Sequence, residues 1–449
     1  MPVDPRSPKE HLSHGTGNSE PGRGLRALQR VVAVRRHEVA ATLWSTALFF
    51  SVLCSYYVIR PLRDAMGITG GVTSLQWMFT ATFAAMLLAV PLFAAVVARW
   101  PRQVFMPWVF RGFALQLLGF FAAMQAGAAP VTLARVFYVW AAVFSLFVVS
   151  VFWEYMADLW RREQAERLFG FIAAGGTAGA LVGPVLAGQL APRVDLAWLL
   201  LLSLLGLELA ALCVRRLGRV AATAAGPDAP TSEAAIGGGL FAGFTLVLAS
   251  PRLLAICGYV LLLSITGTFL YFEQMTIVEA AIADAGARTA LFAHVDLAVN
   301  AVTIVLQTAV LGRLVPRVGL GWTLAVLPIV TLAALLTIAA APLLAVVVVV
   351  QVARRAADYA LAKPAREVLF TQVPREAKYK AKSFIDTVVY RGGDALSAWA
   401  FRGAAGLGLG LSGLALLATP VAALWIAAGF RLGRGGKEDA PSDRSEGAG

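Results

Sequence analysis

Charged residues are scarce in this sequence. Only 14% of its 449 residues are Asp, Glu, Lys or Arg, whereas an ordinary soluble domain has about 25%, and 59% are hydrophobic. The mean hydropathy is +0.73. So apolar a chain has too little polar surface to be solvated by water, which excludes the soluble globular classes and indicates an integral membrane protein.

Cysteine is also rare. Cys54, Cys213 and Cys257 all fall inside apolar segments, which argues against a disulfide framework and against thiolate metal sites. The glycine clusters lack the Gly-Lys-Ser/Thr sequence that binds phosphate in an ATPase. We therefore expect no metal site, no cofactor and no ATP hydrolysis.

Long apolar runs, in contrast, occur along the whole chain. No water reaches the bilayer core to hydrogen-bond the backbone, so spans of about 20 apolar residues without two-residue alternation must be helices. The sequence therefore predicts an all-α integral membrane protein with about 12 transmembrane helices. The predicted spans are 38–60, 72–98, 104–125, 132–157, 168–190, 195–214, 253–280, 289–311, 319–340, 342–362, 382–404 and 411–430.

Basic residues are distributed unevenly around these spans. If the N-terminus is cytoplasmic, the outer loops hold only Arg63, Arg193 and Arg288, and the other loop and tail basic residues face inward. The positive-inside rule then predicts that both termini are cytoplasmic and that the number of spans is even. The net charge of +12 is explained by this orientation and does not indicate a nucleic-acid partner.

The chain divides into two halves. Glu154-Tyr155 near the end of span four resembles Asp358-Tyr359 near the end of span ten, and a basic segment follows each pair. The repeat predicts two pseudo-symmetric six-helix bundles with a substrate path between them, as in the major facilitator superfamily. The predicted parts are a cytoplasmic tail (1–37), an N-terminal bundle (38–214), a cytoplasmic linker with a surface amphipathic helix (215–252), a C-terminal bundle (253–430) and a second cytoplasmic tail (431–449).

Glycines are spaced regularly in two spans. In span five, Gly179, Gly183 and Pro184 resemble the Gly-Pro motif of the major facilitator superfamily, and they predict a close-packing face that can bend. In span eleven, Gly392 and Gly393 predict a place where the backbone bends or a ligand approaches. The alternative for both sets is a plain helix-packing face.

Charges within the spans are the strongest functional signal. A charge at the bilayer centre costs about 2.5–3.5 kcal/mol unless it meets water or a partner. Arg354 and Arg355 are adjacent in span ten, where the nearby Asp358 can neutralise only one of them. The other arginine is left for another helix or for an anion. Arg135, Asp158, Glu208, Arg288 and Arg402 lie near span ends, where long side chains reach the interface, so we do not assign them to the site.

These charges define two sets of candidates. Guanidinium groups match phosphate and carboxylate geometry, so the substrate-binding candidates are Tyr56, Arg60, Arg63, Arg111, Arg354, Arg355, Tyr390 and Arg391. The coupling or gating candidates are Asp64, Glu154, Glu273, Asp296, Asp358, Asp386 and Asp394. The alternative for any one residue is an ion pair that only holds helices together.

The end of span one combines these features. In the stretch FFSVLCSYYVIRPLRDAMG, two arginines and an aspartate surround Pro61. We expect the proline to end the helix. Arg60, Arg63 and Asp64 would then lie in its last turn, at the mouth of a central path for anions.

Three stretches resemble the ATP/ADP translocase family of nucleotide transporters: YYVIRPLRDAMG, FWEYMADLWRREQAERLFGFIAAGG and YKAKSFIDTVVYRGGDALSAW. The resemblance extends over about 38–430 and is that of a divergent branch of the major facilitator superfamily. It implies an ATP-binding ATP:ADP antiporter in a bacterial inner (plasma) membrane, with Arg63 at the transport-linked basic position. Asp394 stands where the family has a lysine, and the family's early span-four glutamate has no counterpart. The resemblance therefore favours the carrier role over a particular nucleotide.

Three function classes are open. The leading prediction is a secondary active transporter that carries an anionic solute by alternating access, either a nucleotide by exchange or another anion with protons carried by His294 and the acids. An enzyme acting on a lipid-linked substrate would need an acid or histidine cluster at one face, where the chain has only the charge run RREQAER, so we expect no enzyme activity. A non-transporting receptor or scaffold would not need a polar path. The expected partners are a small anionic solute and the lipid bilayer, with the chain as a monomer.

Overall fold

The computed structural model describes residues 34–100, 102–224, 242–371 and 381–438. These residues are almost entirely helical, and no β-strand occurs among them. The first six helices are Val39–Thr69 (α1), Leu75–Arg99 (α2), Arg102–Gln125 (α3), Pro130–Leu159 (α4), Arg162–Leu190 (α5) and Ala197–Ala224 (α6). The second six are Pro251–Ala281 (α7), Ala285–Leu306 (α8), Gly312–Ala340 (α9), Leu344–Ala357 (α10), Tyr390–Gly406 (α11) and Leu411–Glu438 (α12).

Ten helices of the described chain are long and apolar enough to cross a membrane. The other two, α10 and α11, are shorter because π-helical turns adjoin them. Asp358–Ala362 continues α10 into the short helix Lys363–Leu369, and Ile385–Val389 precedes α11. Such turns occur often at functional sites. The predicted all-α fold with about twelve membrane helices is confirmed.

The first helix differs from its prediction. Its 31 residues run to Thr69, and Pro61 lies inside the helix without ending it. Arg60, Arg63 and Asp64 therefore lie well within α1 and not in its last turn. The expected position at the mouth of the path is wrong by more than one helical turn, because the apolar residues that follow Asp64 extend the helix for five more residues.

Other boundaries differ as well. All but the first residue of the charge run RREQAER belong to α5, which begins at Arg162, and α6 continues ten residues beyond position 214. Residues 225–241 of the expected linker and most of both predicted tails lie outside the described residues. The surface helix is Ala242–Ala249, where Phe244 and Leu248 are exposed and Val247 is buried. It is apolar on both sides, so the prediction of an amphipathic helix is wrong.

Helix α1 packs against α5 through glycines four residues apart. A Cβ at Gly175 would meet the carbonyl oxygen of Thr46, and one at Gly183 would lie 2.7 Å from that of Cys54. Gly179 makes the equivalent approach to Phe50 one turn away. The two backbones can come this close because no side chain separates them. In the structure, the span-five glycines thus join two helices of the same bundle.

Several contacts between the two bundles lie toward one end of the molecule. We call the end where α1 begins the terminal end and the opposite end the far end. Tyr271 of α7 bonds to α1 and α4, and a Cβ at Gly188 of α5 would meet the ring of His294 in α8. Trp399 of α11 donates to Thr80 of α2. These contacts, which we call the far-end seam, hold the bundles together at the far end.

Candidate functional site

A polar cavity lies between the two bundles and has two connected parts. The inner part, next to the far-end seam, has a volume of about 240 Å³, and the part toward the terminal end has about 420 Å³. Arg60, Arg63, Tyr359, Tyr390 and Arg391 line both parts. Because α1 contributes the first two, the π-helical turn after α10 contributes Tyr359 and α11 contributes the others, residues of both bundles surround the same space.

Arg60 and Arg355 share one buried carboxylate. Asp296 of α8 lies behind the cavity wall and is 1% exposed. Its Oδ1 accepts a hydrogen bond of 2.5 Å from Arg355 Nη2 and lies 3.7 Å from Arg60 Nη1. Arg60 also donates to the hydroxyl of Tyr359 at 3.1 Å. One acid thus holds an arginine from each bundle, and the pair of arginines has one positive charge in excess.

Arg63 belongs to a separate cluster next to the far-end seam. Its Nη1 donates to Asp64 Oδ1 at 3.2 Å, and its Cζ lies 3.9 Å from the centre of the Tyr138 ring. The Tyr271 hydroxyl donates to the same Oδ1 at 2.9 Å and accepts from the Tyr138 hydroxyl at 3.0 Å. Arg63 is therefore paired and stacked, and its acid partner also connects α1 to α7.

Asp394 is bound by two helices. Its Oδ1 accepts hydrogen bonds from Ser264 at 2.7 Å and Thr268 at 3.2 Å, both in α7. Its Oδ2 lies 3.5 Å from Arg391 Nη1. Gly393 allows this approach, because a Cβ there would lie 2.9 Å from the Ser264 hydroxyl oxygen. Asp394 is therefore anchored to α7 and neutralises the charge of Arg391.

Arg354 differs from the other arginines of the cavity. Within the described part of the chain, its guanidinium forms no hydrogen bond or ion pair, and its Nε, like that of Arg355, is buried without an acceptor. Nη2 lies over Gly267 of α7, 2.5 Å from where a Cβ would be. The expected pair with Asp358 is not formed. Asp358 and Tyr359 lie in the π-helical turn, where the regular four-residue spacing no longer holds.

The part of the cavity toward the terminal end is aromatic and basic. Tyr56, Tyr359 and Tyr390 line it, together with Lys363 and Arg366. The Lys363 ammonium lies 4.1 Å from the centre of the Tyr359 ring. Asp386 of the second π-helical turn also lines this part. A solute that carries an anionic group and a flat ring would find both a cation and an aromatic face here.

Some predicted site residues lie elsewhere. Arg111 in α3 forms a half-exposed ion pair of 3.6 Å with Glu208 in α6, within one bundle, so its assignment to the substrate site is corrected. Glu154 is half-buried near the end of α4 and does not line the cavity. Glu273 in α7 is fully buried behind the cavity wall, and Asp296 acts through the arginines it binds. A Cβ added at Gly392 would lie 3.4 Å from the ring of Phe83, which is an ordinary contact distance.

Several cavity residues were not candidates from the sequence. Phe79, Thr82, Tyr138, Gly267 and Thr268 line the inner part. No charge marks them, and isolated small or aromatic residues are common in any membrane helix. On α7, the four-residue spacing of Leu263, Gly267 and Tyr271 is the one signal that places them on a common face. Among the described residues, no group of three or more His, Cys, Asp or Glu side chains is arranged to hold a metal ion.

Known structures resemble this chain in fold. A bacterial homolog of the human lysosomal transporter Spinster, in an inward-facing and unoccupied conformation, matches with a TM-score of 0.58 and 16% identity, over 91% of this chain and all of that one. A point mutant of the nucleoside transporter NupG matches with a TM-score of 0.60 and 12% identity, over 87% of this chain and 99% of that one. An auto-inhibited peptide transporter of the POT family matches with a TM-score of 0.62 and 13% identity, over 91% of this chain and 99% of that one.

No protein-family model and no curated protein sequence matches the chain. At identities of 10–16%, the likeness to solved structures shows the fold alone. The chain therefore has the all-α, multi-pass membrane fold of the major facilitator type, with its polar cavity between the two six-helix bundles.

Proposed function

We propose that this protein is a secondary active transporter that binds an anionic solute in the cavity between its bundles and carries it by alternating access. The fold supports a carrier, because the solved structures it resembles are transporters. The cavity supports an anion. We further propose that both termini are cytoplasmic, in a bacterial inner membrane, and that the chain acts as a monomer without enzyme activity.

The observation that carries the proposal is the unpaired guanidinium of Arg354. Asp296 pairs with Arg60 and Arg355, and Asp394 pairs with Arg391, but no described acid lies within ion-pair distance of Arg354. An arginine between the helices of a membrane protein is costly unless water or an anion meets it. Because guanidinium groups bind carboxylate and phosphate oxygens through paired N–H donors, an anionic group of the solute is the partner that fits.

A nucleotide such as ATP or ADP is our first candidate solute. The motifs that resemble the ATP/ADP translocase family support it, and the tyrosines of the terminal-end part offer faces on which a base would stack. The solved neighbours widen the choice, since they include a nucleoside transporter and a POT family transporter in complex with 5-aminolevulinic acid. Asp394 lowers the positive charge of the cavity, which favours a solute with fewer negative charges than ATP.

Proton-coupled transport of another anion is the second candidate. Glu273 of α7 is 0% exposed, and neither of its carboxylate oxygens has a hydrogen-bond partner among the described residues. An ionised carboxylate without partners is very costly in such surroundings, whereas a protonated one is tolerated. A group of this kind is suited to carrying a proton during the transport cycle.

The proposal is tested by thermal-shift measurements on the purified protein. The panel consists of ATP, ADP, glucose 6-phosphate, citrate, 5-aminolevulinic acid and, as an uncharged reference, uridine. We expect at least one anion to stabilise the wild type. Arg354→Gln should weaken that binding by about 10- to 100-fold, because a hydrogen bond to a charged group contributes about 1.5–3 kcal/mol. Uptake into proteoliposomes should fall in parallel.

Arg402→Gln is the matched control. Arg402 is exposed on α11, so its replacement removes the same charge away from the cavity and should leave binding and uptake unchanged. The anion proposal is refuted if Arg354→Gln binds every anion as the wild type does, or if only uridine stabilises the protein. A protein that binds anions but moves none in uptake or counterflow would be a receptor.

A further inference from the structure

We propose that Gly267 of α7 is a positioning residue of the anion site, because the missing side chain leaves the space that the Arg354 guanidinium occupies. This inference rests on the proposed function and deepens it. Gly267 would act through Arg354, by setting where that guanidinium lies in the cavity.

The geometry at Gly267 is specific. A Cβ there would lie 2.5 Å from Arg354 Nη2 and 3.6 Å from its Cζ, and apart from the adjoining residues and backbone of α7 no other described atom would be within 4 Å. Real Cβ atoms do not approach other atoms as closely as 2.5 Å. The space above Gly267 is therefore filled by one group only, and that group is the guanidinium without an ion-pair partner.

Backbone conformation does not explain this glycine. Positive φ angles occur in the described chain at Gly71, Gly127, Gly319 and Gly408, and Gly267 is not among them. Glycine within a helix costs about 1 kcal/mol relative to alanine. A helical position therefore favours alanine or a larger residue over glycine. Glycine is required at position 267 because a side chain there would occupy the space of the Arg354 guanidinium.

The neighbours of Gly267 place it on the cavity wall. One turn before it lies Leu263 and one turn after it Tyr271, and all three line the inner part of the cavity. Gln351 Nε2 in α10 donates to the carbonyl oxygen of Leu270, which fixes α10 against α7 one turn from Arg354. With the two backbones held in register, a side chain at position 267 would displace the guanidinium and not the helix.

This glycine also differs from the packing glycines. At Gly179 and Gly183, an added Cβ would meet the backbone of α1, which cannot move without separating two helices. At Gly267 it would meet the far end of a flexible side chain. Gly267→Ala is therefore expected to fold and to misplace Arg354. Gly258→Ala is the matched control, because Gly258 lies in the same helix and faces open space.

The test is a double-mutant cycle with binding of ADP and of citrate to the full-length purified protein. Gly267→Ala should weaken binding by at least about tenfold, the loss expected for one hydrogen bond to a charged group. Gly258→Ala should bind as the wild type does. In an Arg354→Gln background, Gly267→Ala should have no further effect, since the group it displaces is absent. Arg354→Lys, which lacks the Nη atoms, should restore part of the binding that Gly267→Ala removes.

The outcomes separate this inference from the proposed function. If Arg354→Gln weakens binding and Gly267→Ala binds as the wild type does, the role of Gly267 is refuted and the anion site stands. If the losses from Gly267→Ala and Arg354→Gln multiply in the double variant, Gly267 acts independently of Arg354 and the inference is again refuted. If neither ADP nor citrate binds the wild type, this anion chemistry is wrong, and the inference fails with it.

Discussion

Replacing Asp296 by asparagine should destabilise the protein more than replacing Arg60, the more distant of the two arginines that it contacts. Its carboxylate is buried, and Oδ1 is the acceptor for Arg355 at 2.5 Å while Arg60 lies at 3.7 Å. Asp296→Asn keeps the size of the side chain but removes the only negative charge between two guanidinium groups. These two groups would then repel each other in a site from which they cannot move easily.

The size of the expected loss in unfolding free energy follows from the burial of Asp296. Removing one partner of a buried ion pair costs about 3–5 kcal/mol, because the other charge stays behind without compensation. Arg60→Gln leaves Asp296 paired with Arg355, and the Arg60 side chain is 16% exposed to the cavity. Arg60→Gln should lower the free energy of unfolding by about 1.5–3 kcal/mol, the contribution of a hydrogen bond to a charged group. Asp296→Asn should therefore be the more damaging change of the two.

The assay is unfolding by sodium dodecyl sulfate in mixed micelles, followed by tryptophan fluorescence. Asp195→Asn is the control, because Asp195 is exposed and caps the Ala197 amide at 2.8 Å, which asparagine does equally well. The reasoning is refuted if Asp296→Asn unfolds at the same detergent fraction as the wild type. It is also refuted if Arg60→Gln is the less stable variant.

Two further predictions concern packing and coupling. Gly179→Val should destabilise the protein by about 1–3 kcal/mol, because its side chain would push α1 away from α5, whereas Gly119→Val, which faces open space, should cost less in the same unfolding assay. Glu273→Gln should leave anion counterflow intact and abolish uptake driven by a proton gradient, because glutamine keeps the shape of the side chain but cannot take up or release a proton. Glu279 is exposed on the same helix, so Glu279→Gln should behave as the wild type. Equal stability of the two valine variants, or normal proton-driven uptake by Glu273→Gln, would contradict these predictions.

Several elements of the site were predictable from single-residue chemistry. Arg354 and Arg355 are adjacent, and charge balance alone predicts that Asp358 cannot neutralise both of them. That neither arginine pairs with Asp358 could not be predicted, because Arg355 binds Asp296 in another helix and a π-helical turn begins at Asp358. Local spacing describes a regular helix, and the chain departs from it at the functional residues.

The internal repeat shows the same limit. Glu154-Tyr155 and Asp358-Tyr359 match in sequence and lie at equivalent places in the two halves. Yet Tyr155 is buried in the N-terminal bundle with its hydroxyl unpartnered, while Tyr359 lines the cavity and accepts from Arg60. The π-helical turn occurs in one half only among the described residues. Similar sequence therefore predicted a common architecture but not a common role.

The sequence by itself determined that this protein lies in a membrane, that it is helical and that it has two halves. Those properties depend on composition and on the hydrogen-bonding demands of the backbone, which act along the chain. The tertiary structure decided which charges are neutralised, because Asp296, Asp394 and Asp64 each find partners on helices distant in sequence. It also decided that Pro61 lies within α1 and that Arg354 has space over Gly267. Those outcomes depend on where helix surfaces meet, and side-chain spacing along one helix does not contain that information.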